Sequence, residues 1–196
     1  MAESTEIRGG APEVLEITRT FDAPRGLLFR LWADPAHRMR WWGPEGMGLS
    51  ELEMDFVEGG NWRMVMRHVS GYDHHVHGTF REIDEPSRLS FTYINDDDQR
   101  ETVVTMEFVD LGTRTEMRFR QAPFQTEGAR EGHNWGWNST FDLLSAYART
   151  VPTIQPAPVG RPRSDGTAPD MVAARARYEL EMVHGFQGKW NPGDPR

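Results

Sequence analysis

The sequence predicts an α+β fold in which one antiparallel sheet is covered by a single long helix at the end of the domain. Two observations carry this. Most of the segment between residues 47 and 121 alternates apolar and polar residues with period two, and a sheet that is apolar on one face and polar on the other is antiparallel and needs one cover. After it, Trp137, Phe141, Leu144 and Ala148 fall at i, i+4, i+7 and i+11, one apolar stripe of a helix.

Each element has a local reason. V-L-E-I-T-R-T-F (14–21) alternates and reads as a strand. Pro24 suits the first turn of a helix, and Leu28, Phe29, Leu31 and Trp32 follow at helical spacing. Asp34-Pro35 stops that helix and starts a short second one, which ends at Trp41-Trp42-Gly43-Pro44. Leu52, Met54 and Phe56 then alternate with Glu51, Glu53 and Asp55, and Trp62, Met64, Met66 and His68 alternate with Arg63, Val65 and Arg67. Further strands are predicted over 75–83, 88–95, 101–109 and 113–121, each bounded by Gly, Asp, Asn or Pro. The long helix is predicted over 131–149. The plan is therefore strand, two short helices, six strands, long helix.

Around this body (13–150) lie a polar, Gly-rich leader (1–12) and a linker (151–169) with five prolines. A tail (170–196) follows, with a helix expected over 171–184 behind the N-cap Asp170. Such a short helix is marginal alone, so it is expected to dock on the body or to bridge a homodimer.

The net charge is −8, and 21 of the 22 basic residues are arginine. That balance argues against a general nucleic-acid binder, which would show a basic face. The absence of cysteine removes thiolate chemistry and disulfides and fits a reducing compartment. With no apolar stretch near 18 residues, a soluble cytoplasmic protein without a membrane partner is expected. No G-x-G-x-x-G, Walker loop, G-x-S-x-G or H-E-x-x-H occurs, and no cofactor is expected.

The run T-R-T-F-D-A-P-R-G-L-L-F-R-L-W-A-D-P-A-H-R-M-R-W-W-G-P-E-G (18–46) resembles the opening of a known family. That family is named after the C-terminal domain of the activator of the ninety-kilodalton heat-shock protein ATPase, and its bacterial members sit in the START-like (SRPBCC) superfamily. E-G-G-N-W-R-M-V-M-R (58–67), G-T-F-R-E-I-D-E-P-S-R-L-S-F-T (78–92) and G-W-N-S-T-F-D-L-L (136–144) match in order, so the resemblance spans about 14–150. It implies a helix-grip fold: a curved sheet of six to seven strands wrapped around the long helix, with a cavity between them. It implies three kinds of function: binding a small hydrophobic or aromatic ligand, acid–base chemistry of the cyclase, dehydratase or hydrolase kind, or co-chaperone-like interaction.

Strand parity and the helical stripe nominate the ligand-contacting side chains. They are Trp42 before the sheet, Trp62, Met64, Met66, His77, Phe91 and Tyr93, with Met106, Phe108, Met117 and Phe119 on the later strands and Trp137 and Phe141 on the helix. Methionines suit a pocket for varied apolar molecules as well as irregular core packing. Trp41 and Trp42 are expected near one mouth, as a corner plug, a ligand wall, or one of each.

The stretch M-R-H-V-S-G-Y-D-H-H-V-H-G (66–78) supplies the titratable candidates. A four-residue turn at Ser70–Asp73 would set His68 opposite His75 and Met66 opposite His77, all facing inward, with His74 pointing away. His68, His75 and His77 could then act as acid–base groups, with Tyr93, or hold a divalent metal. The less demanding alternative is a set of histidines at a wet sheet rim, and a register slip of one residue would disperse the group. His133 and Trp135, near the start of the long helix, are candidates to close the cavity mouth.

Overall fold

The computed structural model describes residues 13–152, so the leader, most of the linker, the tail helix and any dimer contact made through it lie outside the described residues. The elements follow the plan read from the sequence. They are β1 (Leu15–Phe21), α1 (Arg25–Ala33), α2 (Pro35–Arg38), β2 (Met47–Met54), β3 (Asn61–His68), β4 (Asp73–Asp84), β5 (Arg88–Asn95), β6 (Glu101–Asp110), β7 (Thr115–Ala122) and α3 (Glu127–Ala148). The seven strands form one antiparallel sheet in the order β1-β7-β6-β5-β4-β3-β2. The fold is a helix-grip, with α3 held against the inner face.

The core fills the space between that face and the three helices. The predicted stripe of α3 is buried at Trp137, Phe141, Leu144 and Ala148. Phe141 meets Phe21 and Phe119 edge-on at 6.4 and 5.4 Å, which ties the helix to both β1 and β7. Large side chains such as Trp137, Phe141 and Leu144 contribute roughly 1.5–3 kcal/mol each on burial, which holds the helix in place. On the wet side of α3, Arg19 of β1 ion-pairs with Asp142.

The predicted helix begins too late. Thr126 caps it by accepting from Ala129 N at 3.2 Å, and Glu127 opposes the positive end of the dipole in its first turn. The Gly128, Gly132 and Gly136 series weakens helix propensity there and hides this N-terminal extension from pattern reading.

The corner at Trp41-Trp42 is a plug of stacked indoles. Trp41 is 2% exposed, donates Nε1–H to Leu31 O at 3.0 Å and lies 4.9 Å from the ring of Trp32. Trp42 packs 5.5 Å from Trp32 on one side and 5.3 Å from Trp137 on the other. Arg38 is buried with them, its guanidinium 5.7 Å from the Trp32 ring and 5.1 Å from the Trp42 ring. Burial lowers its pKa to about 9, which still leaves a cation at neutral pH. Gly43 turns the chain out of this plug at φ +117°, where a Cβ would sit 2.9 Å from Met47 O, so no other residue fits without distortion.

The expected register of β4 is overturned. The β3–β4 turn is not Ser70–Asp73: Arg67 pairs with Asp73, Met66 with His74 and Val65 with His75. Gly71 at φ +89° lets the loop close one residue earlier, with His68 N donating to Tyr72 O at 2.8 Å. A bidentate Arg67–Asp73 pair, at 2.6 and 2.7 Å, follows on the outer face. The displacement is an odd number of residues, so it exchanges the faces of β4. His74, Val76, Gly78 and Phe80 face the core side, whereas His75 and His77 point out.

Candidate ligand-binding site

Between the inner face of the sheet and the N-terminal half of α3 lies a cavity of about 390 Å³ that opens to solvent. Three sets of side chains converge on it from segments far apart in sequence. Trp42, Pro44 and Met47 come from the loop before β2 and its first residue, Met66, His74, Tyr93 and Asn95 from β3, β4 and β5, and Ala129, Gly132, His133, Gly136, Trp137 and Thr140 from α3. Trp135, 62% exposed, stands at the rim together with Asp98. The loop is held at this mouth by Glu45 N, which donates to Ser139 Oγ on α3 at 2.7 Å.

The residues nominated from sequence divide into three groups. Trp42, Met66, Tyr93 and Trp137 line the cavity. Met64, Phe91, Met106, Phe108, Met117, Phe119 and Phe141 face the same way but are packed in the solid part of the core, as is the Trp62 indole, 5.6 Å edge-on to Phe91. His77 is on the outer face, where its Nδ1 lies 2.7 Å from Asp96 Oδ1. His75 is exposed on that face too, and His68 turns back on its own hairpin, accepting at Nδ1 from Ser70 N at 3.2 Å. The three therefore do not converge, and among the described residues no group of three or more His, Cys, Asp or Glu side chains is placed to hold a metal. His74, expected to point away, is the β4 histidine on the cavity wall.

The polar equipment of the site lies around His133. A hydrogen-bonded chain runs behind the cavity: Trp137 Nε1 donates to Gln121 Oε1 at 2.7 Å, and the same oxygen is 3.1 Å from His133 Nδ1. Gln121 Nε2 donates to Thr102 Oγ1 at 2.8 Å, and that hydroxyl donates to Tyr93 O at 3.1 Å. His133 Nε2 lies 3.4 Å from Asn95 Nδ2, and its ring meets the rings of Tyr93 and Phe124 edge-on. Burial, reinforced by the neighbouring His74 and opposed by Asp98, lowers the His133 pKa to about 4. Burial pushes the Tyr93 phenol well above its usual range. Both groups are thus neutral at physiological pH: a hydrogen-bonded imidazole and a phenol on a wall that is otherwise mostly apolar.

Sequence reasoning reached His133 and Trp135 as mouth residues but had no signal for Asn95 or Gln121. Each is an ordinary polar residue at a strand end until the helix closes over it.

The arrangement matches known proteins at the level of fold and family. A solved structure of the AHSA1 protein from Silicibacter pomeroyi is 26% identical, with 70% of this chain and 98% of that chain covered and a TM-score of 0.63. A protein from Chromobacterium violaceum is 24% identical over 70% of this chain and 98% of its own, with a TM-score of 0.65. One from Rhodobacter sphaeroides is 22% identical over 76% and 100%, with a TM-score of 0.67. No curated protein matches the chain. Residues 22–149 match the family model described as activator of Hsp90 ATPase homolog 1-like protein. With the seven-stranded helix-grip in place and most of the chain inside that match, the protein belongs to the activator of Hsp90 ATPase homolog 1-like family.

Proposed function

We propose that the protein binds a small, largely apolar, aromatic molecule in the cavity between the sheet and α3. The observation that carries this is the helix surface over the gap. A Cβ built on Gly132 or Gly136 would meet no atom within 4 Å. Glycine in a helix interior costs roughly 0.5–1 kcal/mol relative to alanine, so a helix serving only as a lid would gain from alanine at both positions. Protein interiors are otherwise close-packed, and a concave gap walled by Trp42, Trp135 and Trp137 is the shape and chemistry of a ligand site.

A binding role has better support than catalysis. An effective general acid or base has a pKa near the working pH. Here burial moves His133 down to about 4 and Tyr93 upward, away from that range in both directions. The family name refers to a chaperone ATPase. A chaperone-docking face has weaker support, because the large exposed apolar residues of the hairpins are split among three loops, Val57 in one, Val69 and Tyr72 in a second and Leu111 in a third.

Titration of the full chain with a neutral solvatochromic dye such as Nile red tests the reading. Saturable binding with one site per chain and a Kd between roughly 1 and 100 μM is expected. The absence of saturation in that range rules the cavity out as a binding site.

A further inference from the structure

Resting on the binding role proposed above, the direction of each hydrogen bond in the polar chain defines which ligand the cavity prefers. The indole N–H of Trp137 can only donate. The Gln121 atom 2.7 Å away is therefore its carbonyl oxygen, which leaves Gln121 Nε2 to donate to Thr102 and Thr102 to donate to Tyr93 O. The same Gln121 oxygen, a pure acceptor, requires the proton of neutral His133 to sit on Nδ1. The lone pair of His133 is then on Nε2, on the Asn95 side.

Asn95 must answer a lone pair with its NH₂ group, and it does so at 3.4 Å, a long bond. Its Oδ1 is left buried with no partner among the described residues. So the chain that starts at a donor-only indole ends on one unpartnered acceptor, the buried Asn95 Oδ1, beside His133 Nε2, whose lone pair Asn95 Nδ2 already engages. The carboxylate of Asp98, which accepts from Arg100 N at 3.0 Å, lines the same side. A purely apolar guest leaves Asn95 Oδ1 unsatisfied, and an anionic guest is opposed by that oxygen and by the Asp98 carboxylate. Arg38, a cation that could attract an anion, stands behind Trp42 and is not on the cavity wall.

We propose that the cavity selects a neutral aromatic molecule bearing a hydroxyl group, whose O–H is donated to Asn95 Oδ1 beside His133. The rings lie against Trp42 and Trp137, and the hydroxyl replaces the missing donor. An unpaired buried acceptor costs enough that a matched donor should be worth about ten- to a hundred-fold in affinity.

Three ligands of nearly one shape make the test: 2-naphthol, 2-methylnaphthalene and 2-naphthoate, titrated calorimetrically into the full chain and into Asn95→Ala. Expected is 2-naphthol binding at least about ten-fold tighter than either analogue, with the preference over 2-methylnaphthalene collapsing in Asn95→Ala while the hydrocarbon still binds. Equal binding of naphthol and methylnaphthalene, or tightest binding of naphthoate, overturns the hydroxyl assignment and leaves the cavity reading standing. Binding of none overturns both. Should Asn95→Ala fail to fold, ¹⁵N NMR of the wild-type His133 ring decides: the Nε2 resonance moves on adding 2-naphthol and not on adding 2-methylnaphthalene. An unmoved Nε2, or a proton found on Nε2 rather than Nδ1, overturns the proposal.

Discussion

The two faces of the sheet carry two very different hollows. On the outer face a broad groove of about 1250 Å³ runs across β2 to β6, roughly three times the volume of the inner cavity at about 390 Å³. Much of the groove's polar lining is already paired: Arg63 with Glu53 at 2.6 Å, Arg81 with Glu101 at 3.0 Å and His77 Nδ1 with Asp96 Oδ1 at 2.7 Å. Such exposed pairs are screened by water and hold little net energy. The inner cavity is smaller, flanked by three indoles, and leaves Asn95 Oδ1 without a partner. Neighbours in sequence fall on opposite sides: His74 in, His75 out, and Tyr93 in, Ile94 out. Volume alone is a poor guide to a binding site; shelter from water combined with unmet hydrogen-bonding capacity is a better one.

Perturbing the two faces in parallel sharpens this contrast. The largest effect on stability is expected at Gln121, which is fully buried and holds Trp137, His133 and Thr102. Gln121→Leu strands two donors and should cost about 3 kcal/mol in chemical denaturation, with the dye site disordered as well. A cost under about 1 kcal/mol would mean that the polar chain is dispensable.

Filling the gap should separate binding from folding. Gly136→Leu places a side chain in open space, so Nile red affinity should fall at least about ten-fold, while the helix gains roughly 0.5–1 kcal/mol from losing a glycine. Unchanged dye binding would place the probe elsewhere, with the outer groove as the first alternative.

Acidification reports on His133. Its pKa is about 4 in the fold against 6.5 when unfolded. Below pH 6.5 the unfolded chain takes up a proton that the folded one refuses, so stability from this group is complete above 6.5 and is lost as pH falls toward 4. His133→Gln should flatten that slope, by about 2 kcal/mol between the two ends, after allowance for its partial exposure. His74 and Asp98 face the same ring, and a His74→Gln background shows how much of the slope is theirs. The smallest effect belongs to the outer face: Arg63→Ala should leave both the unfolding midpoint and dye affinity unchanged within error. A loss of dye binding in that variant would reverse the assignment of the two hollows.

Much of this architecture is legible one segment at a time. The period-two alternation of Thr115, Met117 and Phe119 against Glu116, Arg118 and Arg120 marks both the strand and its buried face. The Trp137–Ala148 stripe marks the covering helix in the same way. The β3–β4 turn was not legible. Its length depends on one left-handed glycine, Gly71, and on the Arg67–Asp73 clasp, and an odd shift in register sends His75 and His77 to the opposite face from His74. The start of α3 was obscured for a related reason, since the glycines that weaken helix propensity are also those that leave room for the cavity.

By itself, then, the amino-acid sequence determined the kinds of element, their order and the apolar side of most of them, because hydrophobic periodicity is a local property of the chain. Only the tertiary structure decided that Trp42, His74, Tyr93, Asn95, Gln121 and His133 meet. Their convergence depends on strand register and on how α3 settles across the sheet. Hydrogen-bond direction inside the site, passed from Trp137 through Gln121 to His133 and Asn95, exists only once those long-range contacts are made.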